Sequence, residues 1–480
     1  MTILVIDVGT SSVRVATVDD DGHVTHHRQA ALLPDSPAPG LVEFDALRMA
    51  GVVLELAETV LRESGRVAAV GIANQRASTI VWERRTGQPV GPALGWQDLR
   101  TLGTCLTLGA EGVRVMPNQS LTKLAWLLDT YDVDRARDLC FGTVDTWIAW
   151  ILSNGELHVT DASNAAVTGL LRADGVGWND GVLERLRIPA ALLPEVIDST
   201  GIVGDATALP GAPPIAGLAG DQQASLIGQA CVHPGRAKIT FGTGGMLDLC
   251  LGSERPAFAD RGGHGSFPIV AWRRDTTITW GVEAIMLSAG TNIEWLRDDL
   301  GLLATASESH DIAASCADSE GVVYVPALLG LGSPYWDYGA RGTLLGLTRG
   351  STRAHVVRAV LEGVAHRGAD LVEAAEGDTG LRIETLRVDG GMSANPTFIQ
   401  ALADAARRPV EVSPIVEATT LGAAFLAGMA VGVWDGLDDV AATWRPRQVV
   451  EPRHGLDRDR WHDAVTRARR WIPGLSALDF

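Results

Sequence analysis

Cysteine, positive charge and long apolar runs are all in short supply. Only five cysteines occur in 480 residues: Cys105, Cys140, Cys231, Cys250 and Cys316. They are scattered, odd in number and form no C-x-x-C pair, which argues against a disulfide framework or a zinc site and fits a reducing compartment. Lysine and arginine total 40 against 58 aspartate and glutamate residues, a formal net charge of −18. Nucleic acid and anionic membrane surfaces recruit clustered basic side chains, so neither is an expected partner. A small neutral molecule is compatible with this balance, and an anionic one must be met by local donors. The longest apolar stretch, Leu421–Trp434, is too short and too glycine-rich to span a bilayer. Met1-Thr2-Ile3 runs into an apolar segment without a basic leader, so the expected location is cytoplasmic.

What is present is the pattern of a globular α/β protein. The hydrophobic fraction is 46% and the charged fraction 20%, enough chain and core for about two to four domains. Two glycine-threonine turns dominate the reading. Asp7-Val8-Gly9-Thr10-Ser11-Ser12-Val13-Arg14 lies between the apolar runs Ile3–Ile6 and Val13–Val18. Phe241-Gly242-Thr243-Gly244-Gly245 lies between Ala237–Thr240 and Met246–Leu251. Each is a hairpin tip offering backbone N–H groups and hydroxyls, the equipment that cradles phosphate. Around the first turn, strands at Ile3–Ile6, Val13–Val18 and His23–Ala31 precede an amphipathic helix over Asp45–Ser64, stopped by Gly65, and a buried strand at Val67–Ala73. That order begins a ribonuclease H-like βββαβαβα unit. The second turn restarts it, which predicts a domain boundary near Cys231–Gly235. Further on, Arg353–Glu376 reads as a long helix, Leu386–Val388 as a strand, and Asn395-Pro396 as the cap and first residue of a helix ending before Pro409.

Asp7 ends a strand immediately before the first turn, where a carboxylate can hold magnesium beside a phosphate cradle. Thr10, Ser11 and Ser12 offer hydroxyls and N–H groups, and Arg14 brings a guanidinium back on the next strand; an ordinary capped turn is the plain alternative. Asp221 follows the strand Ile215–Leu218 and precedes a helix over Gln222–Gln229. An aspartate there commonly caps the helix. Facing both phosphate turns across a cleft, it would instead take a proton from a substrate hydroxyl. Gly390-Gly391, with Asn395 beyond, lets a base or phosphate approach backbone.

Together these segments resemble the FGGY family of carbohydrate kinases, and within it the glycerol-phosphorylating members most closely. The resemblance spans nearly the whole chain. It includes Gly71–Arg76, Thr79–Glu83, Phe141–Trp147, His158–Asp161, Ala219–Ser225, Gly330–Asp337, Gly342–Glu362, Val388–Asn395 and Thr419–Gly428, besides both turns. It implies an α/β protein of two ribonuclease H-like domains of the actin/hexokinase/Hsp70 type, residues 1–231 and 232–480, with ATP in the cleft between them. It also implies that Thr10, Ser11, Ser12 and Arg14 contact the nucleotide phosphates, that Thr243, Gly290, Glu294, Gly391 and Asn395 line the rest of the ATP site, and that Asp7 sits at Mg²⁺. Asp221 becomes the general base, with Arg76 and Gln222 on the substrate hydroxyls. The partner is a small polyol or sugar, and a homodimer or homotetramer is compatible with the family.

Three positions depart from the glycerol-phosphorylating pattern. Ala77 stands where a glutamate follows the arginine, Asn118 where a tyrosine precedes Ser-x-Thr-Lys, and Met246 where a phenylalanine follows the second turn. Each lost hydroxyl partner costs about 0.5–1.5 kcal/mol, and the first two changes remove volume. The expectation is a roomier pocket for a four- or five-carbon polyol or ketose, with glycerol as the alternative. An actin- or Hsp70-like ATPase without a small-molecule substrate is the alternative of a different class.

Overall fold

The computed structural model describes residues 1–416 and 418–480. Its first half opens with the expected meander, β1 (Ile3–Val8), β2 (Ser12–Val18) and β3 (Val24–Ala31). All six residues of β1 are buried: the apolar run Ile3–Ile6 and Val8, as a strand covered on both faces requires, and with them the charged Asp7. Helix α1 (Ala46–Ser64) follows. Its N-cap is Asp45, whose Oδ1 accepts from Leu47 N at 2.9 Å and Arg48 N at 3.0 Å. Strand β4 (Ala69–Asn74) then runs parallel to β1. Helices α2 (Ser120–Tyr131) and α3 (Ala162–Ala166) come before β5 (Thr200–Asp205) and β6 (Pro214–Gly220), and α4 (Asp221–Gly228) leaves β6 without a loop. The six strands form one sheet in the order β5-β6-β4-β1-β2-β3.

The second half repeats the plan. Strands β7 (Ala237–Phe241), β8 (Gly245–Gly252), β9 (Phe267–Arg274) and β10 (Thr277–Met286) are antiparallel neighbours. After α5 (Thr291–Glu294) and the long α6 (Arg353–Thr379), β11 (Leu386–Asp389) lies parallel to β7. Helix α7 (Pro396–Ala406), β12 (Val410–Val412), α8 (Ala418–Ala430) and β13 (Gln448–Val450) complete it. The order is β9-β10-β8-β7-β11-β12-β13. In both sheets the first strand of the unit is central, antiparallel to the strand after it and parallel to the strand that follows the helix. This is the ribonuclease H-like fold, twice.

One large apolar core joins the second sheet to α6 and α7, and another joins the first sheet to α1. A third crosses the 231/232 position. Ile3, Val5, Ala73 and Ala216 of the first sheet pack with Leu421 and Ala423–Ala427 of α8. Small residues bring these backbones close together. A Cβ on Gly71 would lie 2.3 Å from Ala423 O, and one on Gly422 would lie 1.7 Å from Ala224 O. Helix α8, late in the chain, thus closes the face of the sheet formed first. No helix among the described residues is long and apolar enough to cross a membrane.

Candidate active site

Parallel strands of an open α/β sheet deliver their C-terminal ends to one edge, and ligands bind in the crevice there. In the first sheet Val8, Asn74 and Gly220 are register neighbours on β1, β4 and β6. The chain therefore leaves the sheet side by side as Gly9-Thr10, Gln75-Arg76 and Asp221. In the second sheet Thr240 on β7 faces Asp389 on β11, so Gly242-Thr243 and Gly390-Gly391 emerge together. Helix α4 links the two edges: Ser225 Oγ donates to Asp389 Oδ2 at 3.0 Å and lies 3.3 Å from Thr240 Oγ1.

The first turn is closed by Gly9 N donating to Ser12 O at 2.9 Å. Thr10 Oγ1 accepts from Trp96 Nε1 at 3.1 Å, Ser12 Oγ accepts from Gln29 Nε2 at 3.1 Å, and Ser11 is exposed. Asp7 is 3% exposed and pairs with Arg14, its register partner, at 3.2 Å. A buried carboxylate at a strand end, with threonine and serine hydroxyls next to it, is an oxygen-only donor set of the kind magnesium prefers. The second turn is tied to the start of α5. Gly290 N donates to Gly242 O and Ala289 N to Thr243 O, both at 2.8 Å. Position 290 admits only glycine, because a Cβ there would sit 2.6 Å from Gly242 O. Glu294 is exposed at the end of α5, and Gly391 is exposed with open space beside its Cα. Asn395 caps α7 by accepting from Phe398 N at 3.1 Å, while its amide donates to Ser309 Oγ at 3.0 Å.

Asp221 is the first residue of α4, and Gly220 is the N-cap. Its Oδ1 accepts from Gln222 N at 2.8 Å and lies 3.4 Å from Arg76 Nε. The side chain is 32% exposed. Burial raises its pKa against the opposing pull of Arg76. Arg76 also reaches the second sheet, donating from Nη2 to Glu283 Oε2 at 2.7 Å. Gln222 Oε1 accepts from Lys238 Nζ at 2.7 Å.

The remaining predicted pocket residues lie on both halves, Ala77 and Asn118 on the first and Met246 on the second. Ala77 adopts φ +60°, and its carbonyl accepts from Ser120 Oγ at 3.0 Å. Asn118 is half-buried, and its Oδ1 has no hydrogen-bond partner among the described residues. The loops behind are held by buried Lys123, which donates to the carbonyls of Pro117, Gln119 and Trp96 at 2.6, 3.1 and 3.4 Å. Burial lowers the pKa of that ammonium to about 8. Met246 is half-buried on β8 opposite Thr240.

Arg76, Asp221 and Gln222 are therefore brought into one group. Ala77 and Asn118 are joined to each other through Ser120, and Met246 to Gln222 through Thr240 and Lys238. Sequence reasoning missed the supports. Asn74 and Asn164 exchange reciprocal amide hydrogen bonds at 2.9 and 3.0 Å. Ser163 Oγ accepts from Gly220 N at 3.0 Å, and Asp161 accepts from Ser163 and Asn164. That cluster braces the residues just before Arg76 and Asp221. Trp96, Lys238, Asp248 and Glu283 were missed as well, since no local motif announces partners so far apart in sequence.

Known proteins match this chain over its whole length. The model of the FGGY family of carbohydrate kinases, N-terminal domain, matches residues 2–228, and that of the C-terminal domain matches residues 237–431. Glycerol kinase of Aromatoleum aromaticum is 43% identical, covering 98% of this chain and 99% of that relative. Glycerol kinase 2 of Thermotoga maritima is 40% identical with the same coverage. The crystal structure of Plasmodium falciparum glycerol kinase with ADP superimposes with a TM-score of 0.89 at 29% identity, covering 97% of this chain and 98% of that one. Xylulose kinase of Lactobacillus acidophilus shares the fold, with a TM-score of 0.84 at 21% identity and coverage of 96% and 95%.

Proposed function

The chain belongs to the FGGY family of carbohydrate kinases, and from that premise we propose that it transfers the γ-phosphoryl group of ATP to a terminal hydroxyl of glycerol. The observation that carries the substrate is the 43% identity to a glycerol kinase over 98% of the chain. A four- or five-carbon polyol or ketose, expected from Ala77, Asn118 and Met246, has less support: the xylulose kinase that shares the fold is only 21% identical. Three substitutions read one at a time weigh less than agreement along the whole length. Family membership also sets aside an actin- or Hsp70-like ATPase.

In this proposal the two halves, divided near 231/232, close on the nucleotide. Asp221 accepts the proton of the attacking hydroxyl; its raised pKa makes it a better base than an ordinary carboxylate. Arg76, 3.4 Å away, keeps that carboxylate charged and offers further donors to glycerol oxygens. Gln222 orients a neighbouring hydroxyl. Thr10, Ser11, Ser12 and Arg14 receive the phosphates on one side, and Thr243, Gly290, Glu294, Gly391 and Asn395 line the nucleotide on the other. Asp7 would hold Mg²⁺, which when bound neutralises charge on the phosphoryl oxygens. Proton removal is needed only late in a loose phosphoryl transfer, so positioning supplies most of the acceleration.

Asp221→Asn is expected to lower kcat by about a thousandfold, mid-range for a general base, while ATP still binds. Turnover near that of the wild type would remove Asp221 from the mechanism. A coupled ADP assay across glycerol, tetritols, pentitols and ketopentoses tests the substrate. Glycerol is expected to give the highest kcat/KM; a pentitol or ketopentose preferred over it overturns the glycerol reading.

A further inference from the structure

Three charged residues of the second sheet stand in one row. Lys238 on β7, Asp248 on β8 and Glu283 on β10 are successive register partners. Lys238 and Asp248 are fully buried and Glu283 is 6% exposed. Each charge loses hydration there, and an apolar row would hold the sheet as well, so stability does not account for them.

Their contacts reach into the cleft. Glu283 Oε2 accepts from Arg76 Nη2 at 2.7 Å, and Arg76 Nε lies 3.4 Å from Asp221 Oδ1. The guanidinium is shared between a carboxylate from each half of the protein. Lys238 Nζ meets Asp248 Oδ2 at 2.7 Å, Gln222 Oε1 at 2.7 Å and Thr240 Oγ1 at 3.0 Å. An ammonium has three donors and no acceptor. With no acceptor to offer, Nζ leaves the Gln222 amide one orientation, its oxygen toward Lys238 and its NH₂ group turned away.

We infer that Glu283 and the Lys238–Asp248 pair are positioning residues for the substrate: they fix the Arg76 guanidinium and present Gln222 as a hydrogen-bond donor to a substrate hydroxyl. The inference rests on the reading of Arg76, Asp221 and Gln222 as the substrate-facing group. Neither Asp248 carboxylate oxygen has a hydrogen-bond partner among the described residues, and the ion pair with Lys238 is its close contact in the row. Glu283 faces Arg76 and Asp221 from the first half, and Asp248 and Lys238 from its own sheet. Burial, opposed by Arg76 and reinforced by Asp248, pushes the Glu283 carboxyl above the usual carboxylate range. Protonation there weakens its hold on Arg76, so the glycerol KM should rise as pH falls.

Two variants of the full-length enzyme test this, with glycerol and ATP varied separately. Glu283→Gln keeps the shape and removes the charge. The double variant Lys238→Met/Asp248→Leu removes ammonium and counter-ion together, so no charge is stranded. Each is expected to raise the glycerol KM about tenfold, the effect of one well-made hydrogen bond to a charged group, with the ATP KM within about twofold. The wild-type glycerol KM should climb as pH is lowered from the alkaline side toward the ordinary carboxylate range, and that of Glu283→Gln should be high and flat. A glycerol KM within twofold of wild type in both variants overturns the inference, as does a wild-type KM that ignores pH. Equal losses of glycerol and ATP affinity overturn it too, in favour of a purely structural row. Turnover that survives Asp221→Asn is a different failure, that of the underlying reading.

Discussion

Asp7 and Thr240 hold the same place in two sheets built to one plan, each two residues before a Gly-Thr turn and each opposite a residue of the returning strand. In the first sheet the pair is Asp7 and Arg14. In the second it is Thr240 and Met246, without charge. Two residues further back from the turn, on the same face, the contrast reverses, with Val5 opposite Ala16 in the first sheet and Lys238 opposite Asp248 in the second. What covers each sheet explains the reversal. The Val5 row lies under α8, a helix of Leu, Ala, Gly and Phe, and joins its apolar core. The Lys238 row lies under Gln222 of α4 and beside Arg76, which supply polar partners. In the proposed reading the same backbone plan distributes two tasks, with charge at the tip for phosphate and metal in one half, and charge behind the tip for orienting substrate contacts in the other.

The largest expected effect breaks the symmetry at the tip. Asp7→Asn should lower kcat by about a thousandfold, roughly 4 kcal/mol of transition-state stabilisation, because the carboxylate beside the phosphates is lost. Thr240→Val, the matching change in the second sheet, removes hydrogen bonds from Lys238 and Ser225 and should cost less than about tenfold. Steady-state kinetics on the two variants decides the matter. Equal losses would mean that the two tips share the phosphate chemistry and that the contrast is only one of composition.

The next effect isolates the second turn. Gly290→Ala forces a Cβ against Gly242 O, which is backbone and cannot swing away. Overpacking of this kind costs about 1–3 kcal/mol and should displace Gly242-Thr243. The ATP KM is expected to rise about tenfold while the glycerol KM stays within about twofold, read by kinetics and by nucleotide titration. An unchanged ATP KM would take the second turn out of the nucleotide grip.

These contrasts also mark how far the sequence alone could be read. Local chemistry was legible: the start of α1 near Asp45 and its stop at Gly65, the Asn395-Pro396 start of α7, both turns, and Asp221 at a strand end. Each depends on residues within a few positions of one another. The row Lys238–Asp248–Glu283 was not legible, because β9 intervenes in sequence between β8 and β10 and only the strand order makes the last two neighbours. Nor was the reciprocal Asn74–Asn164 bond, between residues 90 positions apart. The packing of α8 on the first sheet was hidden for a related reason. Its Ala-Gly composition reads as generic core, and only the partner backbones at Gly71 and Ala224 reveal where it docks. The substrate was the least legible part, because Ala77, Asn118 and Met246 point to a roomier pocket when read one at a time, whereas agreement with glycerol kinases along the whole chain favours glycerol.

The smallest effect concerns the wall of the first half, where Asn118 stands. Its Oδ1 is buried without a hydrogen-bond partner among the described residues, a state that costs about 1–3 kcal/mol until a donor arrives. A glycerol hydroxyl is such a donor. If it binds there, Asn118→Ala should raise the glycerol KM about fivefold, near 1 kcal/mol, and leave the melting temperature of the free protein unchanged or slightly higher, since an unsatisfied acceptor has been removed. Met246, on the opposite wall, offers no such acceptor, so Met246→Leu should move the KM by less than twofold. A lower melting temperature for Asn118→Ala with an unaltered KM would mean that the side chain serves the loop rather than the substrate, and that the polar wall of the pocket lies wholly with Arg76, Asp221 and Gln222.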